Sequence, residues 1–145
     1  MNKLLEQAIA MKDEIISYRR TIHNNPEVGT ELPKTKAYVM DKLREFGYEP
    51  KEICESGIVA TIEGSKPGKT FLLRADMDAL PMAEATGLDF KSNNGSMHSC
   101  GHDMHTAMLL GAAKLLKQNQ NEIEGTVKLV FQPDEEGFTG AKKMI

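Results

Sequence analysis

The sequence predicts an α/β domain whose helices pack on a largely parallel sheet. Short apolar runs bounded by Gly, Pro and Asn alternate with segments of helical periodicity along the whole chain. The run Gly125-Thr126-Val127-Lys128-Leu129-Val130-Phe131 is apolar and β-branched, as in a buried strand. At 145 residues the chain suits one domain with a moderate core, not two.

Each element has its own signal. Leu4, Leu5, Ala8, Ile9, Lys12, Ile15, Ile16 and Arg19 trace one mostly apolar face of a first helix ending near His23, where Asn24-Asn25-Pro26 breaks it. A second helix starts at Pro33, whose ring suits a first turn, and ends at Gly47, with Ala37, Val39, Met40, Leu43 and Phe46 as its apolar positions. Strands follow near 49–54 and 57–63. Ser65-Lys66-Pro67-Gly68-Lys69 reads as a turn before a strand at 70–75. From Met104 the chain is helical and apolar around much of its girth, and Asp103 stands where an N-cap would. The strand at 125–132 stops at Pro133, which cannot donate to a ladder, and Gly137 to Gly140 open another helix.

Composition excludes several classes of function. A formal charge of −3 argues against nucleic acid or an anionic membrane as the main partner. No apolar run reaches the roughly 18 residues of a membrane helix. Glu6, Lys12, Asp13 and Glu14 interrupt any secretory pattern in the first twenty residues. Two cysteines, Cys54 and Cys100, make no disulfide scaffold, and Cys54 is most simply a packing residue; the expected compartment is the cytoplasm.

Chemistry concentrates in Met97-His98-Ser99-Cys100-Gly101-His102-Asp103-Met104-His105. Three of the four histidines and one of the two cysteines fall within it. These side chains share little as packing units, but each binds a transition metal when deprotonated. The competing reading is an amphipathic loop with surface histidines and Cys100 as a small hydrophobe. Downstream, Phe131-Gln132-Pro133-Asp134-Glu135-Glu136-Gly137 puts three carboxylates at the carboxyl end of a strand, where α/β sheets place their crevices. One carboxylate can ligate an ion while its neighbour acts as general base on water; a solvated acidic turn is the alternative. A third pair, Asp76 and Asp78, stands two apart in Arg74-Ala75-Asp76-Met77-Asp78-Ala79-Leu80-Pro81 and faces one side if extended. Such a pair can orient a ligating histidine or simply form a polar strand exit.

Together these three stretches, with Arg19-Arg20-Thr21-Ile22-His23-Asn24-Asn25-Pro26-Glu27 and Leu109-Leu110-Gly111-Ala112-Ala113, resemble the two-metal amidohydrolase family. That family includes hippurate hydrolases, N-acyl-amino-acid amidohydrolases and auxin-conjugate hydrolases. The resemblance follows the family's order along essentially the whole chain. It implies that Cys100, His102 and Glu136 are metal ligands, that Glu135 is the general base, and that Asp78 supports a ligand from behind, with Asp76 a weaker candidate for that role. His98, Asp103 and His105 lie near the site without an implied role, and His23 and Arg74 read as structural. The implied reaction is hydrolysis of an N-acyl amide on an amino acid or short peptide, using two divalent ions of the zinc, manganese, cobalt or nickel kind.

Two departures bear on that reading. Asp134 stands where the family usually has a small residue, and its carboxylate either raises the pKa of Glu135 by repulsion or points away. The family's catalytic domain also runs on past the part that matches Ile145, with two further histidine ligands, more sheet and a lid and dimerisation domain. The resemblance therefore implies that residues 1–145 are the amino-terminal part of one zinc-peptidase-like catalytic domain, homodimeric in full-length relatives. An incomplete metal site, an unpaired sheet edge and little activity for the isolated chain follow. A non-catalytic metal-binding remnant is the second hypothesis, and an aminopeptidase or dipeptidase is the chemical alternative within the same centre.

Overall fold

The computed structural model describes residues 3–145. In chain order the elements are α1 (Lys3–Ala10), α2 (Lys12–His23), α3 (Pro33–Glu45), β1 (Lys51–Ile53), β2 (Gly57–Glu63), β3 (Lys66–Asp76), α4 (His102–Gln118), a short 3₁₀ turn (Gln120–Glu122), β4 (Glu124–Gln132) and α5 (Gly140–Met144). The expected first helix is broken at Met11, whose N–H is shared between the Gln7 and Ala8 carbonyls. The 65–69 turn is shorter than expected: β3 begins at Lys66, and the irregularity survives as a register shift between Lys66 and Thr70.

The α/β class holds, but the largely parallel sheet is corrected to a mixed one. Its strand order is β1-β2-β4-β3, with β1–β2 and β2–β4 antiparallel and only β3–β4 parallel. The connections dictate this. Parallel neighbours need a long crossover, and only the β3–β4 connection carries a helix, α4. The β1–β2 link is a tight turn. The equally short β2–β3 link joins strands that are not neighbours, because β4 inserts between them.

Side-chain alternation puts the core on one face of the central strands. Ile58, Ala60 and Ile62 of β2 and Val127, Leu129 and Phe131 of β4 are buried, whereas Thr61, Glu63 and Lys128 are exposed. Val39, Leu43, Ala107, Leu110 and Ala113 complete the same cluster from the helices, with Leu32 just before α3. Burial of this order is worth about 1.5–3 kcal/mol per large apolar side chain. At the far edge β3 is exposed from Lys66 to Arg74, with Phe71 at 59% and Leu72 at 60%. No helix of the described residues is long and apolar enough to cross a membrane.

Where β4 enters the sheet, Gly125 has a φ of +94°, and a methyl group there would collide with the Lys69 carbonyl oxygen. Both the backbone conformation and the contact exclude a side chain. Gly125→Ala is expected to destabilise the chain by more than about 1 kcal/mol, seen as a lower urea midpoint with an unchanged slope.

Candidate metal centre

The carboxyl ends of β3 and β4 lie side by side, with Asp76 registered on Gln132. Beyond that point the chain leaves β3 through Met77 and Asp78, both buried, and Met77 N–H donates to the Gln132 carbonyl at 2.8 Å. Beyond Gln132, Pro133 ends β4 and the chain turns through Asp134–Thr139 into α5. The third contributor arrives from the segment 80–97. Its ends are clamped together by reciprocal backbone bonds between Leu80 and Met97, both 3.0 Å. That clamp returns His98-Ser99-Cys100 to the strand ends, and α4 starts at His102. Gly101 between the two expected ligands has a φ of +89°, a conformation that a side chain would strain by about 1–2 kcal/mol.

These three arms bring Cys100, His102 and Glu136 together, with one donor atom from each within 4.8 Å of the others. His102 is 3% exposed. Its Nδ1 donates to the Asp78 carbonyl at 2.8 Å, and a carbonyl only accepts. That bond assigns the Nδ1 proton and turns Nε2 toward the cluster as the available ligand atom. Glu135 Oε2 and Glu136 Oε1 lie 3.7 and 3.9 Å from Nε2.

Asp78 is 1% exposed, and both its oxygens are occupied. Oδ1 accepts the Glu135 N–H and Oδ2 the Glu136 N–H, each at 3.0 Å. The Asp78 carboxylate therefore shapes the glutamate turn, while its carbonyl orients the histidine. Burial alone would raise its pKa, but the hydrogen bonds from His102 and the two amides hold it below the ordinary carboxylate value.

Charge around the cluster favours a cation. Burial pulls the His102 pKa down, but Asp78 and Asp76 outweigh it and push it up to about 9. The Glu136 carboxylate beside the Cys100 thiol, then burial, Glu135 and Asp76, push that thiol above its usual value. Glu136 Oε1 is buried without a hydrogen-bond partner. Protons held on a thiol and an imidazole beside an orphaned carboxylate oxygen are what a dication displaces. Thiolate, imidazole and carboxylate therefore fit a divalent transition metal.

A second grouping, Asp76 with His102 and His105, also has donor atoms within 4.8 Å. It shares His102, and His105 Nδ1 already donates to Asp76 Oδ1 at 2.6 Å, so it reads as a hydrogen-bonded pair. Arg74 binds the other Asp76 oxygen at 2.7 Å. Asp134 turns away from the cluster: its φ is +52°, its carboxylate accepts from Thr139 Oγ1, and its carbonyl accepts the Gly140 N–H. Asp103 is not the N-cap, which is Gly101; its carboxylate faces α2 instead. The His98 ring is buried with neither nitrogen partnered among the described residues, and burial pushes its pKa down to about 4.

One contributor had no signal in the sequence. Glu84, a single acid in an irregular segment, accepts from Ser92 N–H at 2.7 Å, from Thr86 Oγ1 and from His23 Nε2 at 3.1 Å. Burial would raise its pKa, but these donors hold it at about 2, below the ordinary 4.5. A pKa lowered by folding adds stability that is complete above the unfolded value and is lost as pH falls from about 4.5 toward 2. Glu84→Gln is expected to remove that pH dependence and to cost about 1–3 kcal/mol at pH 7. Urea unfolding at pH 7 and pH 3 measures both; equal curves for the two proteins at pH 7 would contradict the assignment.

Comparison with known proteins identifies the family. Residues 72–145, just over half of the chain, match the family model described as peptidase family M20/M25/M40. The chain belongs to this family. The M20 chain is 46% identical over 145 residues to hippurate hydrolase of Campylobacter jejuni, covering 98% of itself and 37% of that protein. It is 49% identical over 150 residues to thermostable carboxypeptidase 1 of Saccharolobus solfataricus, covering 100% of itself and 38% of that relative. Among solved structures, a Bacillus subtilis dinuclear metal-binding peptidase of the M20 family superposes with a TM-score of 0.88 at 40% identity. That match covers 92% of the M20 chain and 38% of the other. The M20 chain thus spans under two fifths of the length of each of these three relatives.

Proposed function

We propose that this chain carries the ligand cluster and general base of a metal-dependent hydrolase acting on N-acyl amides of amino acids or short peptides. The observation that carries the reading is the convergence of Cys100, His102 and Glu136 donor atoms within 4.8 Å, with the Glu135 carboxylate beside them. The names of the hippurate hydrolase and carboxypeptidase relatives point to the same bond, an amide next to an amino acid.

Cys100 Sγ, His102 Nε2 and Glu136 would hold the ion, which supplies Lewis acidity and acidifies water when bound. Glu135 would take a proton from the attacking water and return it to the leaving nitrogen. Its carboxylate is 37% exposed, enough to meet both. Asp78 would keep the glutamate turn and the imidazole in register. The donor set suits zinc, manganese, cobalt or nickel. Two unpaired cysteines fit a reducing, cytoplasmic setting.

A two-ion centre needs more ligands than this cluster supplies. Of the four histidines only His102 joins Cys100 and Glu136, so the chain alone is expected to bind one ion and to turn over slowly. Metal content by mass spectrometry, with hydrolysis of an N-acetyl amino acid in added Mn²⁺, Co²⁺ or Zn²⁺, tests this. A folded sample that binds no divalent ion sinks the reading. Two bound ions with rapid turnover would show that these 145 residues suffice.

A further inference from the structure

The motif Arg19-Arg20-Thr21-Ile22-His23-Asn24-Asn25-Pro26-Glu27 contributes no atom to the metal cluster, but several of its polar groups bind the segments that carry the ligands. Arg19 Nε donates to Asp103 Oδ2 at 2.9 Å. Asn24 Nδ2 donates to the Lys91 carbonyl at 3.0 Å. The Pro26 carbonyl accepts from Asn94 Nδ2, and the Glu27 carbonyl from the Ala79 N–H, both at 2.8 Å.

His23 stands at the centre of these contacts and is 3% exposed. Its Nδ1 lies 2.8 Å from Asp103 Oδ2, and its Nε2 lies 3.1 Å from Glu84 Oε1. Phe90, from the same segment as Glu84, sets its ring edge-on to His23 at 5.4 Å. The two carboxylates belong to different arms of the site. Glu84 anchors the segment that leads to Cys100, whereas Asp103 follows His102 in the first turn of α4. One buried imidazole therefore joins the polypeptide on both sides of the Cys100–Gly101–His102 turn.

We propose that His23 is a positioning residue for the metal ligands, acting through Glu84 on the Cys100 arm and through Asp103 on the His102 arm. It rests on the metal-site reading above. Two long-range hydrogen bonds from a buried ring fix both ends of a three-residue turn, and a ligand held a fraction of an ångström off its productive place weakens the site. Groups that orient ligands without touching the metal typically cost 10–100-fold in affinity when removed. Packing alone does not demand this arrangement: an apolar ring at position 23 would fill the space, but Asp103 would keep only Arg19, and Glu84 only Ser92 and Thr86, so nothing would join the two arms.

Two substitutions divide the imidazole's functions. In His23→Asn the side-chain amide mimics Nδ1 and keeps the Asp103 bond but does not reach Glu84. In His23→Gln it mimics Nε2 and keeps the Glu84 bond but not the one to Asp103. Amide hydrogen exchange in the metal-free chain is expected to show residues 80–97 deprotected in the Asn variant and nearly unchanged in the Gln variant. Both variants are expected to bind Co²⁺ about 10–100-fold more weakly than the parent and to show a weakened thiolate–cobalt charge-transfer band. Val39→Ala, a core substitution far from the site, is the control for plain loss of stability and is expected to leave Co²⁺ affinity unchanged. Parental Co²⁺ affinity and spectrum in both His23 variants would overturn the proposal, as would an equal loss in Val39→Ala. A parent chain that binds no Co²⁺ fails at the earlier step, sinking the metal-site reading and this proposal together.

Discussion

His102→Ala is expected to weaken divalent metal binding by more than about 100-fold, whereas Glu135→Gln leaves it close to parental and removes turnover. The two side chains sit within 3.7 Å of each other and face the same cluster, so proximity alone would predict similar effects. Their surroundings separate them. His102 is buried, its Nδ1 is committed to the Asp78 carbonyl, and its remaining nitrogen faces the carboxylates of the cluster, 3.7 Å from Asp76 Oδ1 and 3.9 Å from Glu136 Oε1. Removing it deletes one of three donors and leaves a thiol whose proton the neighbouring Glu136 carboxylate holds in place. That loss should exceed the roughly 10–100-fold typical of groups behind the ligands. Glu135 is partly exposed, and its backbone rather than its carboxylate is bound by Asp78. A neutral amide of the same shape keeps that turn but cannot accept a proton, so turnover should fall by about 10²–10⁴-fold. Isothermal titration with Co²⁺ and hydrolysis of an N-acetyl amino acid read the two effects separately. If Glu135→Gln loses the metal as completely as His102→Ala, Glu135 is a ligand and the assignment of a general base is wrong.

How much of this was legible in the sequence depends on the range of the interaction. Strand 57–63 and the helix beginning at Pro33 follow from local signals, and the structure places both there. The crowding of His98, Cys100, His102 and His105 marked the candidate site because their chemistry is visible without coordinates. Sheet direction was not legible. It depends on where β4 inserts, and nothing in Gly125–Gln132 states that its antiparallel neighbour is β2. The expected N-cap at Asp103 failed for a related reason. Capping is local, but the Asp103 carboxylate is claimed by Arg19 and His23 from 84 and 80 positions away. Asp134 shows the same limit. From sequence its carboxylate either perturbed Glu135 or pointed away, and only the backbone at φ +52° turns it into its own loop.

Asp78 is where fold and chemistry meet in one side chain, and Asp78→Ala is expected to be the most damaging single substitution for stability and metal affinity together. Its carboxylate is the acceptor for two N–H groups of the Glu135–Glu136 turn. Truncation leaves both donors unanswered at about 1–3 kcal/mol each, so a total near 3–5 kcal/mol is expected. That is a large share of the 5–15 kcal/mol that holds a domain of this size together. Glu136 is then free to leave the cluster, and metal affinity should drop by at least about 10-fold even in molecules that remain folded. Asp78→Asn distinguishes the two losses. Its single carbonyl oxygen can accept one N–H while its amide opposes the other, so part of the stability should return but the turn should stay displaced. Urea unfolding with and without Co²⁺ measures both quantities on one sample. In the parent chain, metal at 100 times its Kd should add about 2.7 kcal/mol, and at that same concentration the gain should shrink sharply in both variants. A full metal-dependent gain in Asp78→Asn would mean that the Asp78 carbonyl alone sets the site, with the carboxylate serving only the fold.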